Sequence, residues 1–245
     1  MTDVLRPGER LDDLQRDNLK IIQRPDWFCF GMDAVLLSAF AEVKENEDCI
    51  DLCTGNGVVP ILMSARTKGK SFTGIEIQEE VADLAKRSVE YNNLSGRVNI
   101  ICGDIKNHKA LLGTRCADVI TCNPPYLAKG GGLVNPADHK AVARHEIYCD
   151  LEDVLEAAES LIRPGKKFYM VHRPFRLAEI IYEMKKHRLE PKRMRLVHPS
   201  ADAEPNMVLI CGMYDGNPGM IVEKPLVVYE RNGDYTEELK QLYDV

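Results

Sequence analysis

Apolar segments with strand character alternate with segments of helical periodicity from Glu47 onward, and this alternation limits the possible fold more than any other feature. The strand-like segments are "DCIDLC", "SFTGIEI", "VNIIC", "ADVITC" and "KKFYMVH". Between them, "EEVADLAKRSVEYNN" and "LEDVLEAAESLI" carry apolar residues at helical spacing. Such a chain is typical of a parallel sheet that is covered by helices on both faces.

The end of this pattern is different, because two strand-like segments follow one another without a helix. "PKRMRLVHP" and "NMVLICGMY" are separated only by "SADAEP", which is too short for a crossover helix, so we expect them to pair antiparallel. The sequence predicts one α/β domain. Residues 1–46 are expected to form a lead-in and a helix ("MDAVLLSAFAEV"), residues 47–214 the core, and residues 215–245 a mostly polar tail.

The distribution of charge is uneven along the 245 residues, whose formal net charge is −6. Overall acidity argues against a general nucleic-acid-binding protein. The stretch from Arg163 to His198, however, contains eleven Lys/Arg and three Asp/Glu, a balance of +8 that leaves −14 on the other residues. A charged stretch is usually a solvated face, but an asymmetry of this size favours a polyanionic partner, with Arg173 and Arg193 as candidate contacts.

The eight cysteines form no C-x-x-C pair and no Cys/His cluster with the spacing of a zinc site. Several lie in apolar strand-like segments, where a reduced thiol packs as a small hydrophobe, so no metal site is expected. No apolar run approaches the roughly 18 residues that are needed to span a bilayer. We therefore expect a soluble, cytoplasmic protein.

A glycine-containing loop follows the first strand in "DLCTGNGV", which places Asp51, Thr54, Gly55 and Gly57 before a helix. Glycines at this position permit a tight turn and close approach of the backbone to a ligand. Taken alone, the loop is equally well explained as an ordinary strand-to-helix turn. A dinucleotide-binding loop has a third glycine where this chain has Pro60, so that motif is not matched.

Two further carboxylates follow the next two strands. Glu76, beside Ile77, ends the second strand at nearly the ~20-residue spacing at which a carboxylate meets a ribose diol. Asp104, followed by Ile105, comes after the third strand, where it can accept a hydrogen bond from an adenine amine. Three acids without a phosphate-binding lysine suit a ligand that has ribose, adenine and positive charge, and S-adenosylmethionine (SAM) is such a ligand.

This arrangement resembles the class I SAM-dependent methyltransferases over roughly residues 30–213. The resemblance implies an α/β, Rossmann-like class I methyltransferase fold. Its sheet is expected to have seven strands, mostly parallel with an antiparallel last strand, and helices on both faces.

The fourth strand ends in "NPPY", residues 123–126. Alone, this sequence is equally well explained as a stiff turn, because Pro124 and Pro125 cannot donate to a sheet ladder. After the three acids it has a chemical role: the Asn123 side-chain oxygen and the Pro124 carbonyl can accept from an exocyclic amine and favour a pyramidal nitrogen. Tyr126 offers an aromatic face to an extruded base. The tetrapeptide resembles the signature of methyltransferases acting on adenine, guanine or a glutamine amide.

Five segments together resemble the bacterial tRNA(Val) adenine-N6 methyltransferase family: "WFCFGMDAVLLSAF" (27–40), the glycine loop, "NPPY", "ARHE" (143–146) and "PLVVYERNGDYTEELKQLY" (225–243). The resemblance covers nearly the whole chain and implies methylation of the adenine beside the anticodon of a valine tRNA. It also implies that Phe30, Gly31 and Asp33 contribute to the SAM site. Packing on the sheet is the competing explanation for the apolar residues 34–40.

The segment 127–146 is long, rich in glycine and basic residues, and adjacent to "NPPY". Long loops in compact domains are often functional, so we expect it to gate the substrate, with Lys129, Lys140 and Arg144 as phosphate contacts. Arg144 and Glu146 are equally well explained as a surface ion pair. The expected partner is a tRNA, and the expected state is a monomer or a weak homodimer.

Several other functions use similar chemistry. Glutamine methylation of release factors shares "NPPY", but those enzymes usually carry an additional N-terminal helical domain, and this chain has fewer than 50 residues before the first strand. Guanine-N2 methyltransferases of ribosomal RNA more often have Phe at the position of Tyr126. DNA adenine methylation calls for a target-recognition domain, which the sequence does not indicate. A non-catalytic binding protein would have no need of Asn123, Pro124 and Tyr126 together with the three acids.

Overall fold

The computed structural model describes residues 4–27, 29–126 and 149–243. Its strands are β1 (Arg10–Asp13), β2 (Lys20–Gln23), β3 (Asp48–Leu52), β4 (Ser71–Glu76), β5 (Val98–Cys102), β6 (Ala117–Cys122), β7 (Ile162–His172), β8 (Leu189–Ser200), β9 (Met207–Tyr214), β10 (Ile221–Val222) and β11 (Leu226–Tyr229). Its helices are α1 (Met32–Phe40), α2 (Val58–Arg66), α3 (Glu79–Tyr91), α4 (His108–Leu112), α5 (Leu151–Leu161), α6 (Leu177–Lys186) and α7 (Glu237–Tyr243), with 3₁₀ turns over Ile105–Asn107 and Pro174–Arg176.

One sheet dominates the described residues, in the order β10-β8-β9-β7-β6-β3-β4-β5, with β11 also paired to β8. Strands β3, β4, β5, β6 and β7 are parallel to their neighbours in this group. Strand β9 is antiparallel to both β7 and β8. The predicted fold class is confirmed: seven long strands form a mostly parallel sheet with an antiparallel strand near the end, and two short strands extend it.

Buried apolar side chains form a cluster on each face of this sheet. One cluster includes Leu36 of α1 and Leu62 of α2, and the other includes Leu155 of α5 and Ile180 of α6. Strand β6 is buried along its whole length, as its apolar β-branched sequence "ADVITC" requires between two covered faces. No described helix combines the length and the apolar character that a bilayer span requires.

The two ends of the chain have more structure than their composition predicts. Strands β1 and β2 form an antiparallel hairpin that is fastened to α3, where the Ser88 hydroxyl accepts from the Ile22 amide at 2.9 Å and the Asn92 side chain accepts from the Lys20 amide at 2.9 Å. Within residues 215–245, expected as a polar tail, β10 and β11 add to β8, and α7 buries Leu239. Both ends therefore contribute to the fold, although the division into lead-in, core and tail stays a prediction.

Candidate active site

The carboxyl ends of β3, β4, β5 and β6 meet at one edge of the sheet because these strands are parallel neighbours. A pocket opens at this edge. Its lining contains most of the residues that the sequence predicts as cofactor contacts: Phe30, Asp51, Thr54, Gly55, Glu76, Ile77, Asp104, Ile105 and Asn123. Gly31, Asp33 and Gly57, predicted with them, are next to lining residues along the chain but are not part of the lining.

The glycine loop needs its two glycines for different reasons. Gly55 has φ +57°, and a Cβ built there would meet no atom within 4 Å, so the loop leaves open space at this point of the pocket. Gly57 has φ +83°, and a Cβ there would lie 3.1 Å from the Cβ of Ala85, because α2 begins close against α3. The first glycine keeps a ligand site open, whereas the second permits close packing of two helices.

Asp51 lies at the end of β3 and is only 2% exposed. Its two carboxylate oxygens accept hydrogen bonds from the hydroxyls of Thr121 and Thr54, each at 2.6 Å. Burial raises the pKa of Asp51 to about 7, although the two hydroxyl donors oppose the shift. A positive charge that enters the pocket would therefore convert Asp51 to its ionised form.

Glu76 ends β4 and is also buried. One of its oxygens accepts from the Gly55 amide at 2.9 Å, and the other accepts from the Gln78 amide at 2.9 Å. Burial raises the pKa of Glu76, while these amide donors act in the opposite direction. The carboxylate is thus fixed between the glycine loop and the start of α3.

Asp104 follows β5 and caps the 3₁₀ turn that begins at Ile105, where it accepts from the Lys106 amide at 2.9 Å. This bond orients the carboxylate at the lip of the pocket. The three acids that the sequence places after three consecutive strands therefore line a single pocket.

Other lining residues were missed from the sequence: Gln23, Arg24, Trp27, Cys53, Gln78 and Cys149. Gln23, in β2, accepts from the Phe30 amide at 2.9 Å and from the Asn56 side chain at 3.1 Å. The Sγ atoms of Cys53 and Cys149 lie 3.7 Å apart. No sequence signal pointed to Gln23, Arg24 or Cys149, because the hairpin strands are short and Cys149 is brought in by the fold from a distant part of the chain. Trp27 and Cys53 lie within the segments quoted for the resemblance, but neither was singled out.

The "NPPY" turn follows β6 directly, and Asn123 and Pro125 reach the pocket. The Tyr126 hydroxyl lies within hydrogen-bond distance of Asp33 Oδ2 (2.7 Å) and of Asn123 Oδ1, so its proton is shared between two acceptors. Burial, followed by the charge of Asp33, raises the pKa of Tyr126 well above its usual value. Tyr126 is therefore a neutral hydroxyl that touches the side-chain oxygen predicted to hold the substrate amine.

Comparison with known proteins identifies the family. Residues 43–207 match a family model described as "Methyltransferase domain". The chain belongs to this methyltransferase family. Among curated proteins it is similar to the tRNA1(Val) (adenine(37)-N6)-methyltransferase of Pedobacter heparinus, at 28% identity over 86% of this chain and 87% of that protein. The protein of the same name from Aeromonas salmonicida is 27% identical, again over 86% and 87%.

Solved structures of low sequence identity share the fold. The crystal structure of a predicted O-methyltransferase from Agrobacterium tumefaciens has a TM-score of 0.71 at 23% identity, over 87% of this chain and 96% of that chain. Geranyl diphosphate C-methyltransferase from Streptomyces coelicolor, in complex with S-adenosyl-L-homocysteine, has a TM-score of 0.56 at 12% identity over 75% of this chain and 78% of that one. The resemblance predicted from the sequence is confirmed at the level of the methyltransferase fold and family.

The basic stretch of this methyltransferase is largely neutralised within the fold. Nine of its eleven cations form ion pairs: Arg163–Asp118, Lys166–Glu47, Lys167–Glu42, Arg176–Glu179, Lys185–Glu190, Lys186–Glu152, Arg188–Asp215, Arg193–Glu42 and Arg195–Glu238. Arg193 also donates to the Phe40 carbonyl at 2.7 Å and lies over the Phe40 ring. Its contacts within the described part of the chain give Arg193 a structural role.

Arg173 is different from these cations. It follows β7, and its guanidinium lies 4.7 Å from the centroid of the Tyr126 ring and donates to the Asn206 carbonyl at 2.9 Å. Among the described residues it has no carboxylate partner. Of the substrate contacts predicted from the sequence, Arg173 and Tyr126 are therefore brought together, while Lys129, Lys140 and Arg144 lie outside the described residues.

Proposed function

We propose that this methyltransferase uses SAM to methylate the exocyclic N6 amine of an adenine in a tRNA, beside the anticodon of a valine tRNA. The observation that carries the proposal is the position of Asn123 and its turn, at the end of β6 on the rim of the pocket that the three acids line. The names of the curated relatives support the choice of nucleic acid and nitrogen. Such a substrate also supports a cytoplasmic site of action.

The pocket residues fit SAM by the chemistry of their donors and acceptors. Glu76 and Asp104 present carboxylate oxygens for a ribose and an adenine amine, and Asp51 can ionise beside a positive charge. The open space at Gly55 lets the ligand approach the loop backbone. When bound, SAM supplies the methyl group that is transferred to the amine.

The turn residues act on the substrate amine. Its nitrogen is a weak nucleophile because the lone pair is conjugated with the ring. Acceptance of its two N–H groups by Asn123 Oδ1 and the Pro124 carbonyl favours the pyramidal nitrogen whose lone pair is available. Tyr126 stacks on the ring and fixes its orientation, so that the acceleration comes mainly from positioning.

The contact between Tyr126 and Asn123 adds a condition to this mechanism. The hydroxyl of Tyr126 occupies the same Asn123 oxygen that the amine must reach. The substrate therefore has to replace that hydrogen bond, and Asp33 is positioned to keep the Tyr126 hydroxyl when it does. This exchange keeps the buried polar groups satisfied before and after the base enters.

The test is incubation of the protein with SAM and bulk bacterial tRNA, followed by nucleoside mass spectrometry. We expect N6-methyladenosine, and Asn123→Ala should reduce its rate of formation by about 10²–10³-fold because an acceptor at the reacting nitrogen is lost. SAM affinity, measured by calorimetry, should stay within about threefold of the wild type. Asn99→Ala, at an exposed position of β5, is the matched control.

Two results would contradict this proposal. Full activity of Asn123→Ala would show that the Asn123 side chain has no role in amine activation. Detection of N2-methylguanosine in place of N6-methyladenosine would show that the substrate is a guanine. Methylated release factor with no methylated nucleoside would show that it is a protein, and in both cases the family assignment would stand.

A further inference from the structure

Phe175 is an exposed aromatic residue beside the candidate active site. Its side chain is 73% exposed, the highest value among the large apolar residues of the described chain. It lies in the 3₁₀ turn Pro174–Arg176 directly after β7, and β7 is the parallel neighbour of β6, with Met170 paired to Cys122. Phe175 therefore stands at the same edge of the sheet as the "NPPY" turn.

The backbone that carries Phe175 is held on both sides. Pro174 starts the 3₁₀ turn with a fixed φ. Arg176 is buried, and its guanidinium donates to both carboxylate oxygens of Glu179, at 2.8 and 2.6 Å. On the other side, the Arg173 amide donates to Nδ1 of the buried His172 at 2.8 Å. The exposed ring is thus presented on an ordered support, which lowers the entropic cost of binding.

The charge next to Phe175 favours a nucleic acid as its partner. Arg173, two residues earlier, lies over the ring of Tyr126 and has no carboxylate partner among the described residues. An aromatic ring beside a cation is typical of sites that hold unpaired nucleotides. A protein partner would require a larger continuous apolar patch, whereas the exposed positions between Phe175 and Tyr182 are Ala178 and the charged Glu179.

We propose that Phe175 stacks on the unpaired nucleotide that flanks the target adenine, and that Arg173 contacts the phosphate between the two nucleotides. This inference rests on the proposed function, and it adds a second nucleotide to the binding site: the unpaired neighbour of the target adenine. Tyr182 is 68% exposed and lies in α6, seven residues after Phe175. It is farther from the end of β7 along the chain, and we expect it to contribute less.

The test compares Phe175→Ala with Phe175→Trp and uses an anticodon stem-loop as substrate. Loss of the ring should raise KM for the RNA by about 5- to 100-fold, while tryptophan restores stacking and keeps KM near the wild-type value. SAM affinity and the melting temperature should not change in either variant. Tyr91→Ala is the matched control, because Tyr91 is 42% exposed at the end of α3, on the opposite edge of the sheet.

A second arm assigns the contact to a base. Stem-loops with an abasic site on one or the other side of the target adenine are compared in the wild type and in Phe175→Ala. At one of the two positions, the abasic site should raise KM of the wild type as much as Phe175→Ala does with the intact stem-loop. Combining that abasic site with Phe175→Ala should raise KM little further than either change alone. Fully additive losses at both positions would overturn the stacking assignment.

The wild-type reaction separates failure of this inference from failure of the proposed function. If the wild type methylates the stem-loop and Phe175→Ala has the same KM, the inference is wrong and the function stands. If Phe175→Ala changes only the sedimentation coefficient of the protein, the ring belongs to a contact between proteins, and the inference is again wrong. If the wild type binds SAM but methylates no RNA, the proposed function fails and this inference fails with it.

Discussion

The two halves of the sheet edge satisfy their polar groups in different ways. On the side of β3 and β4, Asp51 and Glu76 are buried, and their oxygens accept from hydroxyls and amides of the fixed loops around them. On the side of β6 and β7, Tyr126 and Asn123 hydrogen-bond to one another, and Phe175 is exposed. The first half is arranged before a ligand binds, whereas the second half has contacts that a ligand must replace.

This difference predicts two separate classes of defect. Changes on the β3 and β4 side should alter the affinity for SAM with little effect on KM for RNA. Changes on the β6 and β7 side should alter the use of RNA and leave SAM binding intact.

Glu76→Gln should have the largest effect among four tests of this separation. The amide cannot accept from both the Gly55 and Gln78 amides, so one of them loses its partner, and the negative charge is also lost. We expect SAM affinity to fall by about 10- to 150-fold in calorimetry. KM for RNA should stay near the wild-type value, and Glu80→Gln, at an exposed position of α3, is the control. If Glu76→Gln weakened SAM affinity and raised KM for RNA by the same factor, the two sides of the sheet edge would not have separate roles.

Tyr126→Ala should reduce kcat/KM for RNA by about 5- to 100-fold, because the stacking surface is removed. Tyr126→Phe keeps the ring and also frees the Asn123 oxygen, so it should retain activity within about fivefold of the wild type. Both variants should bind SAM normally in calorimetry. Similar losses of kcat/KM in Tyr126→Phe and Tyr126→Ala would show that the hydroxyl, rather than the ring, is the important group.

The pKa of Asp51 predicts a dependence of SAM affinity on pH. Its folded-state pKa of about 7 lies above the usual value, so the protonated form dominates below pH 7, and a cationic ligand favours the ionised form. SAM affinity should rise as the pH rises toward 7, by up to about tenfold per pH unit, and then level off. The same shift makes Asp51 stabilise the free protein less as the pH rises from about 4 to about 7.

Asp51→Asn should flatten this pH profile in calorimetry. S-adenosylhomocysteine is the control ligand, because it keeps the amino group of SAM but lacks the sulfonium charge, and its profile should be shallower. An unchanged profile in Asp51→Asn would assign the titration to another group.

The smallest effects are expected at two arginines of the basic stretch. Arg173→Gln should raise KM for RNA a few-fold and lower the slope of its salt dependence by about one. Arg193→Gln should leave KM unchanged and lower the melting temperature by about 2–4 °C, because Glu42 and the Phe40 carbonyl lose a partner. If Arg193→Gln weakens RNA use as much as Arg173→Gln, the basic stretch acts as a whole and the assignment to Arg173 alone is wrong.

The sequence was sufficient to predict the part of the site that lies at the ends of the strands. Asp51, Glu76, Asp104 and Asn123 each lie at or just after the end of a strand, and parallel strands bring their carboxyl ends to one edge. This geometry requires only the order of the elements, which the alternation of apolar segments supplies.

The missed features depend on contacts between distant parts of the chain. The ion pairs of the basic stretch could not be predicted because the partners are remote in the sequence: Arg163 pairs with Asp118, and Lys167 pairs with Glu42. Gln23 reaches the pocket from a hairpin whose strands are four residues each, too short for a periodic signal. Local patterns carry no information about such pairings.

The pocket also contains an optical reporter of its own state. Trp27 is the single tryptophan of the chain, it lines the pocket, and the Arg24 guanidinium lies 4.4 Å from its ring. Indole emission responds to nearby charge and polarity, so entry of a cationic ligand should change the intrinsic fluorescence of the whole protein. Cofactor occupancy can thus be followed without a label in the wild type and in those variants named above that add no second tryptophan.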